Sequence, residues 1–111
     1  MSPNKKMDRP ALEKVAKVFS AFSDATRLQI IMELKEGALT VSALVDKVGV
    51  SQGNLSKQLQ LLYEIGLLDR QKQGNQVFYS IKDEMIFSLC RHVCDKLNRD
   101  AVASTGQMYQ I

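Results

Sequence analysis

A stretch of amides, one hydroxyl and one amine at residues 52–60 has the side chains needed to hydrogen-bond to nucleic-acid bases. Leu55, Leu59 and Leu62 are spaced i, i+4, i+7, which predicts the core-facing seam of a helix. Glutamine can pair with adenine, lysine with guanine and serine with either base, and glycine lets a backbone approach closely. No acidic group stands among them to repel phosphate. The predicted base-reading residues are Gln52, Gly53, Asn54, Ser56, Lys57 and Gln60.

The elements around this stretch decide between base reading and an ordinary solvated helix face. Thr40 and Ser51 are N-cap residues for helices predicted at about 41–48 and 52–65. Gly49 ends the first of these helices and opens a short turn into the second. Alone, a helix rich in Gln and Ser is typical of a solvated surface, but a capped helix pair followed by a hairpin favours DNA reading.

A β-hairpin follows the helix pair directly. The helical period ends after Gly66, and residues at about 67–72 and 76–81 are predicted to form two strands around the Gly74-Asn75 pair, which is a turn signal. The hairpin is polar and long enough to contact phosphates or the minor groove, which positions a protein without specifying sequence. An ordinary exposed turn is the alternative interpretation for each of its side chains. The candidate contacts are Arg70, Lys72, Gln73 and Asn75.

The remaining pattern completes one small domain. Further helices are predicted from about Pro10 to Phe22, from Asp24 to Lys35 with Ser23 as its cap, and from Asp83 to Arg99. The predicted fold is therefore mainly α with a two-stranded β-wing, in the order α-α-α-α-β-β-α of a winged helix-turn-helix. The expected segments are a flexible N-terminal arm at 1–9, the domain at 10–100 and a C-terminal tail at 101–111.

Composition limits the classes of function. The chain has 111 residues, 45% of them apolar and 24% charged, with a formal net charge of +3, which suits a globular domain that binds nucleic acid. We find no run of about 18 apolar residues and no secretory pattern, so we expect no membrane partner and a cytoplasmic location. One His, two Cys and no glycine-rich phosphate loop leave no catalytic set, so we expect no enzyme activity.

The two cysteines could carry thiol chemistry. Cys90 and Cys94 are spaced i, i+4 on one face of the last helix, and His92 points about 200° away from Cys90. Two thiols are an incomplete zinc set, and their Cβ atoms, about 5–6 Å apart, lie too far apart for an unstrained disulfide. A polysulfide link or a soft metalloid such as arsenite would span the gap. The alternative is packing, since both cysteines fall on one apolar stripe.

Three segments resemble ArsR/SmtB-type repressors. Residues 22–34 (FSDATRLQIIMEL) are similar to their second helix, and residues 50–67 (VSQGNLSKQLQLLYEIGL) to their recognition helix and the step into the wing. Residues 77–81 (VFYSI) are similar to their second wing strand. The resemblance implies a homodimer built on the first and last helices. It further implies autoregulated repression at an inverted repeat of double-stranded operator DNA, relieved by an inducer.

The metal-ligand set of that family is incomplete here, although Asp83 is present on the last helix. Residues 38–50 hold no Cys or His, Met85 stands where the zinc pattern has His, and Lys96 and Arg99 occupy the places of its later ligands. We therefore expect no metal site of that type and no certain cofactor, leaving a soft metalloid or sulfur species at the cysteines. The sequence predicts a sequence-specific DNA-binding repressor. The alternatives are a winged-helix protein-interaction module and a regulator whose cysteines are purely structural.

Overall fold

Five helices and one small antiparallel sheet make up residues 6–101 and 108–111, the parts of the chain that this computed structural model describes. The predicted winged helix-turn-helix and its order of helices and hairpin are confirmed. The elements are α1 (Arg9–Ser20), α2 (Ala25–Leu34), β1 (Leu39–Thr40), α3 (Val41–Val48), α4 (Gln52–Ile65), β2 (Leu68–Gln73), β3 (Gln76–Ile81) and α5 (Met85–Ala101).

The helix-turn-helix is bounded by the caps that the sequence predicts. The Thr40 hydroxyl accepts a hydrogen bond from the Ala43 amide at 3.2 Å, and the Ser51 hydroxyl accepts one from the Asn54 amide at 3.2 Å. Each bond satisfies one of the free amides at a helix start. Gly49 ends α3 at φ 78°, in the left-handed region that favours glycine. These local bonds fix the angle at which α4 leaves the turn.

The cap predicted for α2 is wrong by one residue. Asp24, not Ser23, caps this helix, and its carboxylate accepts from the Arg27 amide at 3.2 Å. The Ser23 hydroxyl instead donates to the main-chain oxygen of Ser20 at 2.7 Å. The Ser23 side chain is therefore bound to the end of α1. Asp24 is the next residue, and its side chain is available to cap α2.

The sheet has one strand more than the predicted wing. β2 and β3 form the hairpin, with Gln73 opposite Gln76, and Gly74 takes φ 63° at the first turn position, as in a type II′ turn. β1 pairs with the other edge of β3, placing Leu39 opposite Tyr79, so the strand order is β1-β3-β2. Two residues are too few for alternation to be visible in a sequence, so the pattern does not reveal β1.

The core lies between α2, α3, α4, the base of the wing and the start of α5. Its fully buried members include Ile30 and Ile31 of α2, Leu44 of α3 and Ile86 of α5. Each buried aliphatic side chain contributes about 1.5–3 kcal/mol relative to exposure. Helix α1, by contrast, buries no residue.

Large apolar side chains remain exposed on both α1 and α5. Between 39% and 55% of the surface is exposed for Leu12, Val15, Phe19, Val93 and Leu97. Exposed apolar patches of this kind mark contacts with other molecules.

The ends of the predicted segments are described only in part. Residues 1–5 of the predicted arm and 102–107 of the predicted tail lie outside the described residues. Met7 and Asp8 have no regular structure, and Asp8 caps α1 by accepting from the Ala11 amide at 3.0 Å. Residues 108–111 are irregular and pack back on the domain. In the described parts of the chain, no helix combines the length and hydropathy that a membrane span requires.

Candidate nucleic-acid interface

Helix α4 presents the polar face that the leucine spacing predicts. Leu55, Leu59 and Leu62 are completely buried, so they fix the rotation of the helix against the core. The six predicted base-reading residues all lie on the exposed side: Gln52, Gly53, Asn54, Ser56, Lys57 and Gln60. The first turn of α4 holds no acidic residue, and its N-terminal amides add positive potential. The surface thus offers donors and acceptors to a polyanion without repelling it.

Gln60 differs from the other predicted reading residues because both ends of its amide already have partners. Its Oε1 accepts from Arg70 at 3.0 Å, and its Nε2 donates to Glu64 at 2.9 Å. The sequence indicates a wing contact for Arg70 and a base contact for Gln60, and the fold brings the two together. Each amide atom of Gln60 therefore has one hydrogen-bonding position left for a base, a hydrogen on Nε2 and a lone pair on Oε1.

The wing is attached to the C-terminal half of α4 by Arg70. Besides its bond to Gln60, its guanidinium lies 4.1 Å from the centroid of the Tyr63 ring. A hydrogen bond with the Tyr79 side chain, and further interaction with Tyr63, raise the pKa of Arg70 above its ordinary value, so its charge is permanent. The other predicted wing residues, Lys72, Gln73 and Asn75, are exposed close to the hairpin tip.

Arg27 and Gln58 form a polar contact between α2 and α4 that the sequence does not predict. The helical spacing of Arg27 predicts a place on the apolar face of α2, and its side chain is only 14% exposed. It donates to the Oε1 of Gln58 at 2.7 Å. Gln58 in turn donates to the Oδ1 of Asn54 at 3.1 Å. In the sequence, the i, i+4 spacing of Asn54 and Gln58 indicates their hydrogen bond, but nothing indicates the contact between Gln58 and Arg27.

Cys90 and Cys94 are free thiols on the inner side of α5. Cys90 is buried and Cys94 half-buried, and both line an apolar cavity of about 420 Å³ between α1, α2, α5 and residues 109–111. Burial raises the pKa of the Cys90 thiol, and the neighbouring Cys94 raises it further. The burial of Cys90 is compatible with the packing alternative. Cys94 faces the cavity, so the structure leaves room for thiol chemistry there.

The donor set for a metal ion is incomplete. His92 is exposed and does not line the cavity that holds the two cysteines. Among residues 6–101 and 108–111, no three His, Cys, Asp or Glu side chains come together in a group that could hold a metal. Two thiols within one protomer do not fit a tetrahedral zinc site.

The C-terminal residues close one side of this cavity. The amide of Tyr109 donates to Asn98 Oδ1 at 2.7 Å, and Asn98 Nδ2 donates to the main-chain oxygen of Tyr109 at 2.9 Å. Lys35 Nζ donates to the main-chain oxygen of Ile111 at 3.2 Å. Residues 109 and 111 are therefore hydrogen-bonded to α5 and to the residue that follows α2.

Comparison with known proteins identifies the relatives of this chain. Residues 24–70 match the family described as "Bacterial regulatory protein, arsR family". The HTH-type transcriptional regulator NmtR of Mycobacterium tuberculosis is 31% identical over 87 residues, which are 78% of this chain and 72% of that protein. The cadmium resistance transcriptional regulatory protein CadC homolog of Staphylococcus aureus is 38% identical over 93 residues, or 83% and 75% of the two chains.

A solved structure shares the architecture. The homodimeric winged helix-turn-helix DNA-binding domain Mb0332 of Mycobacterium bovis superposes with a TM-score of 0.73 at 28% sequence identity. The match covers 94% of this chain and 99% of that domain. The likeness therefore extends from the helix-turn-helix over the wing and the outer helices.

Proposed function

This chain belongs to the ArsR family of DNA-binding transcriptional repressors and is not an enzyme, and from that premise we propose that it represses transcription as a homodimer on an inverted-repeat operator. The observation that carries the proposal is the exposed polar face of α4, held outward by its buried leucines. Two copies of α4, roughly 34 Å apart in the dimer, would enter successive major grooves of double-stranded DNA.

The residues divide into three roles in this proposal. Base edges are read by Gln52, Asn54, Ser56 and Lys57, with Gly53 allowing close approach of the backbone. Phosphates are contacted at the wing tip by Lys72, Gln73 and Asn75. Arg70 and Gln60 hold the wing against α4, because in the DNA-free protein they bond to each other.

A second copy of this chain is the proposed occupant of the apolar surface on α1 and α5. The surface includes Phe19 at 55% and Val93 at 54% exposure. No residue of α1 is buried within its own protomer, so an interface on α1 can form without disturbing the core. The related domain Mb0332 is homodimeric, which supports assembly of this chain as a dimer.

Release from DNA is proposed to occur through Cys90 and Cys94. Arsenite can exchange two hydroxyl groups for the two sulfurs, each thiol proton leaving with a hydroxyl as water, while arsenic stays trivalent. A polysulfide can reach a similar bridge: it oxidises both thiols and is reduced, its inner sulfurs forming the link and its two terminal sulfurs leaving as H₂S. Either bridge would shift α5 against α2 at the proposed dimer surface, since both cysteines line the cavity between these helices.

Gel retardation with the DNA upstream of the protein's own gene tests the DNA-binding role. We expect specific retardation that Lys57→Ala and Gln52→Ala abolish while the dimer stays folded. Lys17→Ala, which removes an equal charge from the exposed side of α1, is the matched control and should bind as the parent does. Unchanged affinity in both α4 variants would refute the reading face. A stable protein complex without any retardation at low salt would favour an interaction module.

The same assay with thiol agents tests the release mechanism. Cys90→Ser and Cys94→Ser should bind the operator as the parent does but stay bound when arsenite or polysulfide is added. Release of both variants like the parent would leave the cysteines with a packing role.

A further inference from the structure

Arg27 is anchored so firmly that it can act only as a fixed donor toward α4. Its Nε donates to the main-chain oxygen of Ala21 at 3.3 Å, and one terminal nitrogen donates to that of Ser20 at 2.8 Å. The other terminal nitrogen lies 3.9 Å from the Asp24 carboxylate and reaches Gln58 at 2.7 Å. The guanidinium therefore joins the end of α1 and the start of α2 to the recognition helix.

The chemistry of arginine fixes the orientation of the Gln58 amide. A guanidinium has donors and no acceptor, so Gln58 must turn its Oε1 toward Arg27. The Nε2 of Gln58 then has to point the other way, toward Asn54, where it donates at 3.1 Å. The direction of the amide thus follows from hydrogen-bond polarity.

The orientation of Gln58 also fixes the orientation of the Asn54 amide. The carbonyl oxygen of Asn54 accepts from Gln58, so the Nδ2 of this exposed side chain is turned away from Gln58. An outward Nδ2 offers hydrogen-bond donors to the groove. In the major groove, guanine presents two acceptors, N7 and O6, whereas cytosine presents the N4 donor.

We propose that Gln58 is a specificity-determining positioning residue: held by Arg27, it orients the Asn54 amide so that Asn54 selects guanine and rejects cytosine at one position of each operator half-site. The inference rests on the proposed DNA-reading role of α4. Gln58 acts through Asn54, because it is half-buried and both ends of its amide are engaged within the protein.

Gln58→Glu is the decisive variant because it reverses the direction of the hydrogen bond between residue 58 and Asn54. A glutamate still accepts from Arg27, but its other oxygen cannot donate to Asn54. The Asn54 amide must then rotate and donate to the introduced carboxylate, which turns its own Oδ1 outward as an acceptor. The preferred base at that position should change from guanine to one with a donor, cytosine or adenine.

The experiment is selection of bound operators from a pool randomised across one half-site, using the full-length protein. Asn54→Ala identifies the dependent position as the one where base preference disappears. There we expect the parent to prefer guanine over cytosine about tenfold, a typical effect of one base contact, and Gln58→Glu to invert that preference. Gln71→Glu adds the same charge on the exposed wing strand and should weaken binding without changing any base preference.

The outcomes separate this inference from the function on which it rests. A parent protein that binds no DNA refutes the proposed function itself. A parent that binds, together with a Gln58→Glu variant that is weaker but has the parental preference, overturns the role of Gln58. A parental preference for cytosine or adenine at the Asn54-dependent position also overturns the role of Gln58. An Asn54→Ala variant that keeps every base preference overturns it as well. Thermal unfolding of each variant verifies that the comparison is between folded proteins.

Discussion

The guanidinium of Arg70 on strand β2 lies 4.1 Å from the centroid of the Tyr63 ring on helix α4. The two residues belong to the wing and to α4, the two elements that we propose contact DNA together. Their contact ties the direction of the hairpin to the rotation of α4. An exposed cation–π pair of this kind is worth about 0.5–1 kcal/mol, enough to restrict the wing without making it rigid.

Removal of this contact should weaken operator binding without changing its dependence on salt. Tyr63→Leu removes the ring but no charge, so we expect a loss of roughly threefold in affinity, corresponding to about 0.5–1 kcal/mol. Lys72→Gln, by contrast, should reduce the slope of log K against log salt by about 0.9 for each phosphate that the lysine neutralises. Fluorescence anisotropy over a salt series measures both, and Tyr63→Phe, which keeps the ring, is the control. A reduced slope in Tyr63→Leu would contradict the positioning role.

A charge on the exposed apolar face of α1 should dissociate the dimer and leave the protomer folded. Val15 is 40% exposed in the protomer, and α1 contributes no buried residue to the core. Val15→Glu is therefore expected to sediment as a monomer with a parental circular dichroism spectrum and greatly reduced operator affinity. Lys17→Gln makes an equal change of charge on the opposite side of the same helix and should remain dimeric. A dimeric Val15→Glu protein would place the interface elsewhere.

The reactivity of Cys90 should require a higher pH than that of an ordinary thiol. Burial, assisted by Cys94, raises the pKa of Cys90, and only the thiolate reacts with alkylating agents. In Cys94→Ser, where Cys90 stays buried, the rate of alkylation by iodoacetamide should reach half its maximum at a pH above about 8.5. In denaturant the midpoint should fall to about pH 8.5. The folded state binds the Cys90 proton more tightly than the unfolded state does. This contribution to the free energy of unfolding is complete below the ordinary thiol pKa and is lost as pH rises through the raised pKa of the folded state. A native midpoint at or below about 8.5 would show that burial is not maintained in solution.

Release of the C-terminal residues should expose Cys94. Asn98 makes two hydrogen bonds to the backbone of Tyr109, which lines the cavity together with Cys94. Asn98→Ala is expected to raise the rate at which a bulky disulfide reagent modifies Cys94 several-fold, as followed by absorbance in a Cys90→Ser background. Lys96→Ala, which breaks only an exposed ion pair with Asp100, is the control. Equal rates in the two variants would mean that residues 108–111 do not restrict access.

The helix boundaries and the reading face are predictable because their causes are local. N-cap hydroxyls at Thr40 and Ser51, and a left-handed glycine at position 49, act over three or four residues, so a sequence displays them directly. Leucines at helical spacing on α4 likewise indicate which face is buried before any packing partner is known. The cap of α2 is ambiguous in the sequence because Ser23 and Asp24 are both good N-cap residues, and the end of α1 decides between them.

The tertiary structure decided which polar groups remain free to act. From sequence, Gln60 and Asn54 are candidates for base contact and Arg70 for a wing contact with phosphate, and Gln58 is one more amide on a helix. Folding brings Arg70 of the wing onto Gln60 and places Arg27 of α2 against Gln58, across 31 positions of sequence. Composition and spacing therefore determined a winged helix-turn-helix whose fourth helix has a polar exposed face. Hydrogen-bond partners depend on which distant segments meet, so only the folded chain could assign the orientation of its amides and the surroundings of its two thiols.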